Sequence, residues 1–189
     1  MTDPSQRPSR EGREAGTRDR RWALFVGLVP LAVLFDQVTK YLADEHLAGR
    51  MGGVREVVEG FFMLRYSTNR GAFFSIGEGL PDGVRVAFFA TAALAALGAI
   101  VWVYRDAPAE RGGLRAGLLL LAAGAIGNLI DRVQYGEVID FLHLHYRDVF
   151  HWATFNVADI YITIGLVFLI WDAFRTPALR EPAEVSGTT

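Results

Sequence analysis

The chain of 189 residues contains no cysteine. Disulfides, thiolate nucleophiles and cysteine metal sites are thereby excluded. Lysine occurs once, as Lys40, while arginine is plentiful, a bias that reads as genome composition. No folded basic face is evident, so no nucleic-acid partner is expected. No HExxH motif and no carboxylate third ligand accompany the HLH of His143 and His145, so no metal is expected. No serine stands beside an evident base, and no repeat relates the two halves.

What is present is apolar residue in long runs. Hydrophobic residues make up 51% of the chain, an ordinary share, but their bunching argues for a membrane protein. Residues 22–42, 84–104, 114–132 and 156–174 read as four spans. The first follows Arg18, Arg20 and Arg21 like a signal peptide, yet it runs on without a small-residue cleavage site and is read as retained. Pro30 within it is tolerable beside other helices. Residues 1–21 are polar and read as a disordered cytoplasmic tail, and residues 175–189 as a mobile cytoplasmic tail. Residues 54–66 mix β-branched and aromatic residues with charges and read as two or three short strands outside the bilayer. Asp82 is the expected N-cap of the second span.

Arginines 105, 111, 115, 175 and 180 fall on one side of these spans. The positive-inside rule then puts both termini in the cytoplasm and residues 44–85 and 133–155 on the outer side.

Polar residues converge at one depth. At about 1.5 Å per residue, Arg21 to Asp36 is roughly 22 Å, Arg115 to Asn128 roughly 20 Å, and Arg175 back to Asp159 roughly 24 Å. Three helices thus carry polar side chains at the outer third of a core about 30 Å thick. Asp36 and Lys40 are i, i+4, as are Asn128 and Arg132, and Asn156 and Asp159 are i, i+3. Asp140 and Asp159 flank one outer segment in apolar surroundings, where carboxylates are costly and point to function. Two close carboxylates cannot both ionise, so one keeps a proton while the other acts as base.

Plainer readings exist for each. Asp36–Lys40 can be an ion pair at a helix end, and Asn156 with Asp159 can be a capping box. Asp131 beside Arg132 reads as an interfacial charge pair, and His143, His145 and His151 with Tyr146 and Trp152 as an interfacial belt. A small proton-coupled transporter using Asp36, Arg132, Asp140 and Asp159 as a relay is the alternative function. The chain lacks the interrupted helices and repeats common in such proteins.

Five blocks in order, DQVTK (36–40), NRGAFFS (69–75), GNLIDR (127–132), VIDF (138–141) and FNVADIYI (155–162), resemble the bacterial lipoprotein signal peptidases, the type II signal peptidases. The resemblance covers about residues 22–174 and implies an aspartic endopeptidase that removes signal peptides from diacylglyceryl-modified prolipoproteins just before the lipidated cysteine. It implies a fold of four transmembrane helices with a small outer-side β-cradle, here within 51–79, in a multi-pass protein of the bacterial inner membrane. It marks Asp140 and Asp159 as catalytic, and Asp36, Lys40, Asn69, Asn128, Arg132 and Asn156 as supporting the site or binding substrate. No cofactor is expected; the expected partners are prolipoproteins and membrane lipids, and the protein is expected to be a monomer. Phe73, where the family often has alanine, and the bulky Arg70 depart from the pattern in a loop expected to close over substrate.

Overall fold

A computed structural model describes residues 10–49, 53–71, 79, 81–147 and 149–175, with side chains from residue 22 onward. Four helices, α1 (Arg10–Leu47), α2 (Asp82–Asp106), α3 (Gly112–Tyr135) and α4 (Val157–Arg175), form a bundle. Each contains a stretch long and apolar enough to cross a membrane, beginning at Trp22 in α1. Leu24, Val26, Leu31 and Phe35 of α1 and Val167, Ile170 and Phe174 of α4 face outward. An apolar outer surface on such helices suits lipid, which exacts no penalty for it.

Helix α1 starts at Arg10, inside the segment expected to be disordered. Arginine, glutamate and alanine are good helix formers, and extending an existing helix needs no new nucleus. The expected cap of α2 is also corrected. Pro81 occupies the cap with no side-chain bond, and Asp82 begins the helix and pairs with Arg85 at 2.6 Å.

Helix α3 is the central one. Its buried face runs through Gly117, Leu118, Ala122, Ala123, Gly124, Gly127 and Asp131. Small residues let backbones approach without a hydrophobic driving force between helices. A methyl group at Gly117 would stand 2.8 Å from the Gly165 carbonyl, and one at Gly124 would stand 2.5 Å from the Ala158 carbonyl. These contacts set α3 against α4. Val29 of α1 and Ile100 and Tyr104 of α2 complete the core around Leu118, Ala122 and Ala123.

Strands β1 (Val54–Val58), β2 (Phe62–Asn69), β3 (Val138–Tyr146) and β4 (Phe150–His151) are hydrogen-bonded in chain order, all antiparallel. The cradle is thus larger than residues 51–79, because Asp140 lies on a paired strand rather than in a loop. Residues 72–78 of the expected closing loop, including Phe73, lie outside the described residues. Gly136 ends α3 at φ 76°, and its N–H reaches the Arg132 carbonyl at 3.1 Å. Glycine adopts this left-handed angle without a Cβ clash, so the chain passes from helix to strand within two residues. Phe141 packs with Ala43 and Leu47 of α1 beneath the sheet.

Candidate active site

Asn156 is the N-cap of α4 and Asp159 the third helical residue. The Asp159 N–H donates to Asn156 Oδ1 at 3.0 Å, and the Asn156 N–H donates to Asp159 Oδ2 at 3.2 Å. This is a capping box, with aspartate in the usual glutamate place. It leaves Asp159 Oδ1 to accept from Asn128 Nδ2 at 2.9 Å. The cap thus leaves one Asp159 oxygen turned toward α3.

The Asn156 amide links the two aspartates. Its Nδ2 donates to Asp140 Oδ1 at 2.7 Å and also lies 3.1 Å from Asn128 Oδ1 and 3.3 Å from the Ile139 carbonyl. Asn156 is fully buried, where every polar atom needs a partner. Asp140 enters from β3, almost wholly buried. Burial first, then the charge of Asp159, pushes its carboxyl up to about 7, against hydrogen bonds from Asn156 and Asn69 and the charge of Lys40. Asn69, at the end of β2, pairs in register with Val138 and turns its Oδ1 onto the Gly71 N–H at 3.0 Å.

A second layer lies beneath. Lys40 Nζ reaches Asp36 at 2.9 Å, Asp131 at 2.8 Å and Asn128 Oδ1 at 3.0 Å, using each of its three hydrogens. Asp36 also accepts the Ala158 N–H at 2.8 Å, so α1 helps to cap α4. Gly127 makes room for it, since a methyl there would stand 2.5 Å from Asp36 Oδ2. Asp36–Lys40 is thus a buried pair rather than one at a helix end.

Arg132 sits beside this cluster. Its Nη1 donates to the Asn128 carbonyl and its Nη2 to the Gly71 carbonyl, both at 3.1 Å, and its guanidinium lies over Phe89. Among the described residues it hydrogen-bonds neither Asp140 nor Asp159, and its buried Nε has no partner. Arg132 ties the chain after β2 to α3.

All eight expected site residues therefore fall in one region, and two expectations are corrected. Asp131 is no interfacial partner of Arg132. It is buried and accepts from Lys40, from Gln37 Nε2 at 2.9 Å and from the Ile139 N–H at 3.2 Å. Its spacing of four from Gly127 puts it on the buried face of α3, whereas Arg132 follows Asn128. Of the belt, His143 and His145 are buried with their rings stacked, whereas His151, Tyr146 and Trp152 are exposed. Lys40, as the single lysine, and Gln37, inside DQVTK, were signals for this layer.

An apolar groove of about 650 Å³ opens between the C-terminal end of α1 and the sheet, lined among others by Leu42, Leu47, Val54, Leu64 and Phe141. Phe141 is the residue next to Asp140.

The family described as "Signal peptidase (SPase) II" matches residues 28–175. A protein named lipoprotein signal peptidase from Geobacter sulfurreducens is 37% identical over 162 residues, 85% of this chain and 98% of that one. One of the same name from Symbiobacterium thermophilum is 41% identical over 146 residues, 77% and 91% of the two chains. A bacterial membrane enzyme solved at 2.3 Å by the in meso method superposes with a TM-score of 0.70 at 30% identity, covering 86% of this chain and 94% of that one. A second, solved at 1.9 Å, gives 0.67 at 31% identity, covering 82% and 95%.

Proposed function

The chain belongs to the signal peptidase (SPase) II family and is a multi-pass bacterial membrane protease, and from that premise we propose that Asp140 and Asp159 are the carboxylates that cleave lipoprotein precursors. The transporter reading gains no support from any of these relatives. The observation that carries the proposal is the shared amide of Asn156, bonded to Asp140 through Nδ2 and to the Asp159 N–H through Oδ1.

Asp159 is the base. Both of its oxygens face N–H donors, an arrangement suited to an ionised carboxylate, which only accepts. Asp140, raised to about 7, holds the proton. A water between them loses a proton to Asp159 as its oxygen bonds to the scissile carbonyl carbon. Asp140 donates its proton to the carbonyl oxygen, giving a neutral tetrahedral diol. Asp159 then delivers its proton to the leaving nitrogen, the C–N bond breaks, and Asp140 regains a proton from the collapsing diol. The products are a signal-peptide carboxylate and a new amino terminus on the lipidated cysteine.

Asp36, Lys40, Asn128 and Asn156 orient the pair, and Arg132 and Asn69 hold the adjoining chain where substrate backbone would lie. The groove beside Phe141 suits an acyl chain of the substrate, whose tails remain in the bilayer. Arginine placement supports cytoplasmic termini and a site near the outer face, and the outward apolar helices suit a monomer surrounded by lipid. The deciding experiment is incubation of the purified protein, with no metal added, with a diacylglyceryl-modified precursor. Mass spectrometry should find the cut immediately before the lipidated cysteine. An uncut precursor, or a cut elsewhere, overturns the reading.

A further inference from the structure

Asp131 has no part in the reaction steps above, yet it is 1% exposed and surrounded by donors. We propose that Asp131, oriented by Gln37, is a positioning residue that fixes Asp140 by holding the backbone N–H of Ile139. The inference rests on the catalytic role proposed for Asp140.

Ile139 immediately precedes Asp140 in β3. Its N–H donates to Asp131 Oδ2 at 3.2 Å, and its carbonyl receives Asn156 Nδ2 at 3.3 Å. Side chains from α3 and from the cap of α4 thus grip both polar groups of one residue. Two residues on, the Phe141 N–H finds the Phe155 carbonyl at 3.0 Å. Alternate residues of a strand direct their N–H groups to the same side, so Asp131 stands at Ile139 where a neighbouring strand would otherwise supply an acceptor. A buried N–H left without one is costly.

Three donors explain why the residue is a carboxylate. Lys40 and the Ile139 N–H converge on Oδ2, while Gln37 Nε2 donates to Oδ1. Asparagine offers one oxygen and turns its amide hydrogens on a donor at the other position. The strand would then shift, and with it the 2.7 Å contact between Asn156 and Asp140. A misplacement of about 1 Å can cost about 10²-fold in rate.

The test uses full-length Asp131→Asn and Gln37→Met, purified in detergent, with a lipidated precursor. For Asp131→Asn, kcat per folded molecule should fall about 10²-fold with KM changed by less than about twofold. Its basic pH limb should also move to lower pH. The charged groups around Asp140 are Lys40 and Asp36 from α1, Asp131 and Arg132 from α3, and Asp159 from α4. Removing the Asp131 anion favours ionisation of Asp140, both directly and by leaving Lys40 less neutralised. Gln37→Met keeps the anion, so it should lower kcat about tenfold with the limb unmoved. A folded Asp131→Asn protein with normal kcat and pH profile, altered only in thermal stability, overturns the inference. If that variant does not fold, an unchanged kcat in Gln37→Met overturns it instead. Failure of the catalytic reading looks different: Asp140→Asn would then remain active, whatever Asp131 does.

Discussion

Asn156 and Asp159 cap each other, the N–H of each donating to the side chain of the other at 3.2 and 3.0 Å. Asparagine keeps one oxygen for the Asn156 N–H but turns its amide hydrogens toward Asn128 Nδ2, also a donor, so Asp159→Asn should cost about 1–3 kcal/mol of stability. It cannot take up the proton of water. Loss of a general base costs about 10²–10⁴-fold, and the loss of the proposed base should lie at or beyond the upper end. Cleavage rates beside melting curves in detergent separate the two roles. Near-normal activity in Asp159→Asn would reduce the residue to a cap.

Asp140 predicts a trade of stability for activity. Its folded pKa of about 7 lies well above the ordinary 3.8, so protonation favours the folded state. Its contribution to stability is full below the ordinary value, declines as pH rises toward 7, and is flat beyond. Three pKa units correspond to at most about 4 kcal/mol. Asp140→Asn should therefore be inactive yet more stable than the parent at pH 8, with a flatter dependence of stability between pH about 4 and about 7. The parent's kcat/KM should fall above about 7, as the acid loses its proton. Equal stability of parent and variant at every pH would contradict the buried acid.

Gly127 gives a steric test. Its α3 position faces Asp36 Oδ2, which an added methyl would meet at 2.5 Å. Gly127→Ala should displace Asp36, weaken its bonds to Lys40 and the Ala158 N–H, and cost about 1–3 kcal/mol. Activity should fall with it. Gly98 has nothing within 4 Å of its added methyl, and Gly98→Ala should be neutral or stabilising by up to about 1 kcal/mol. Melting curves of the two variants decide, and equal behaviour would remove the close approach.

Topology is read most directly by reporter fusions. Ala107, between α2 and α3, should report a cytoplasmic location, and Gly53 and Arg147, at the edges of the sheet, an outer one. A reversed signal at Ala107 would place the site on the wrong face for exported precursors.

The helices were legible because bilayer thickness sets their length, and the depth of Asp36, Asn128 and Asp159 followed from helical rise alone. Lys40 bonds Asp36 and Asn128, and Asn128 bonds Asp159, so that alignment corresponds to real contacts. The strand under Asp140 was harder to read. Its run, Val138–Tyr146, is buried along most of its length and so lacks the alternation that marks a half-exposed strand. Asp131 was misread for a different reason. Its neighbour in sequence, Arg132, offers an obvious partner, whereas its actual partners lie on α1 and β3, beyond the reach of local spacing.

Lys40 carries the last prediction, because the one lysine in the chain stands in a buried polar cluster. The single lysine lies 2% exposed among Asp36, Asp131 and Asn128. A compact ammonium can direct three hydrogens at acceptors grouped around one point, whereas guanidinium is planar and larger. Lys40→Arg should therefore fail to conserve function although it conserves charge. Lys40→Met leaves two buried carboxylates facing each other without a cation, and breaking such a buried pair costs about 3–5 kcal/mol. Both losses should persist in high salt, since ions do not screen a buried cluster effectively. The exposed pair Arg70–Glu137, at 3.2 Å, is the contrast: Arg70→Gln should cost less than about 1 kcal/mol. Melting temperature and cleavage rate at low and high salt read all three variants. A Lys40→Arg protein with normal stability and activity would show that the site needs only a positive charge.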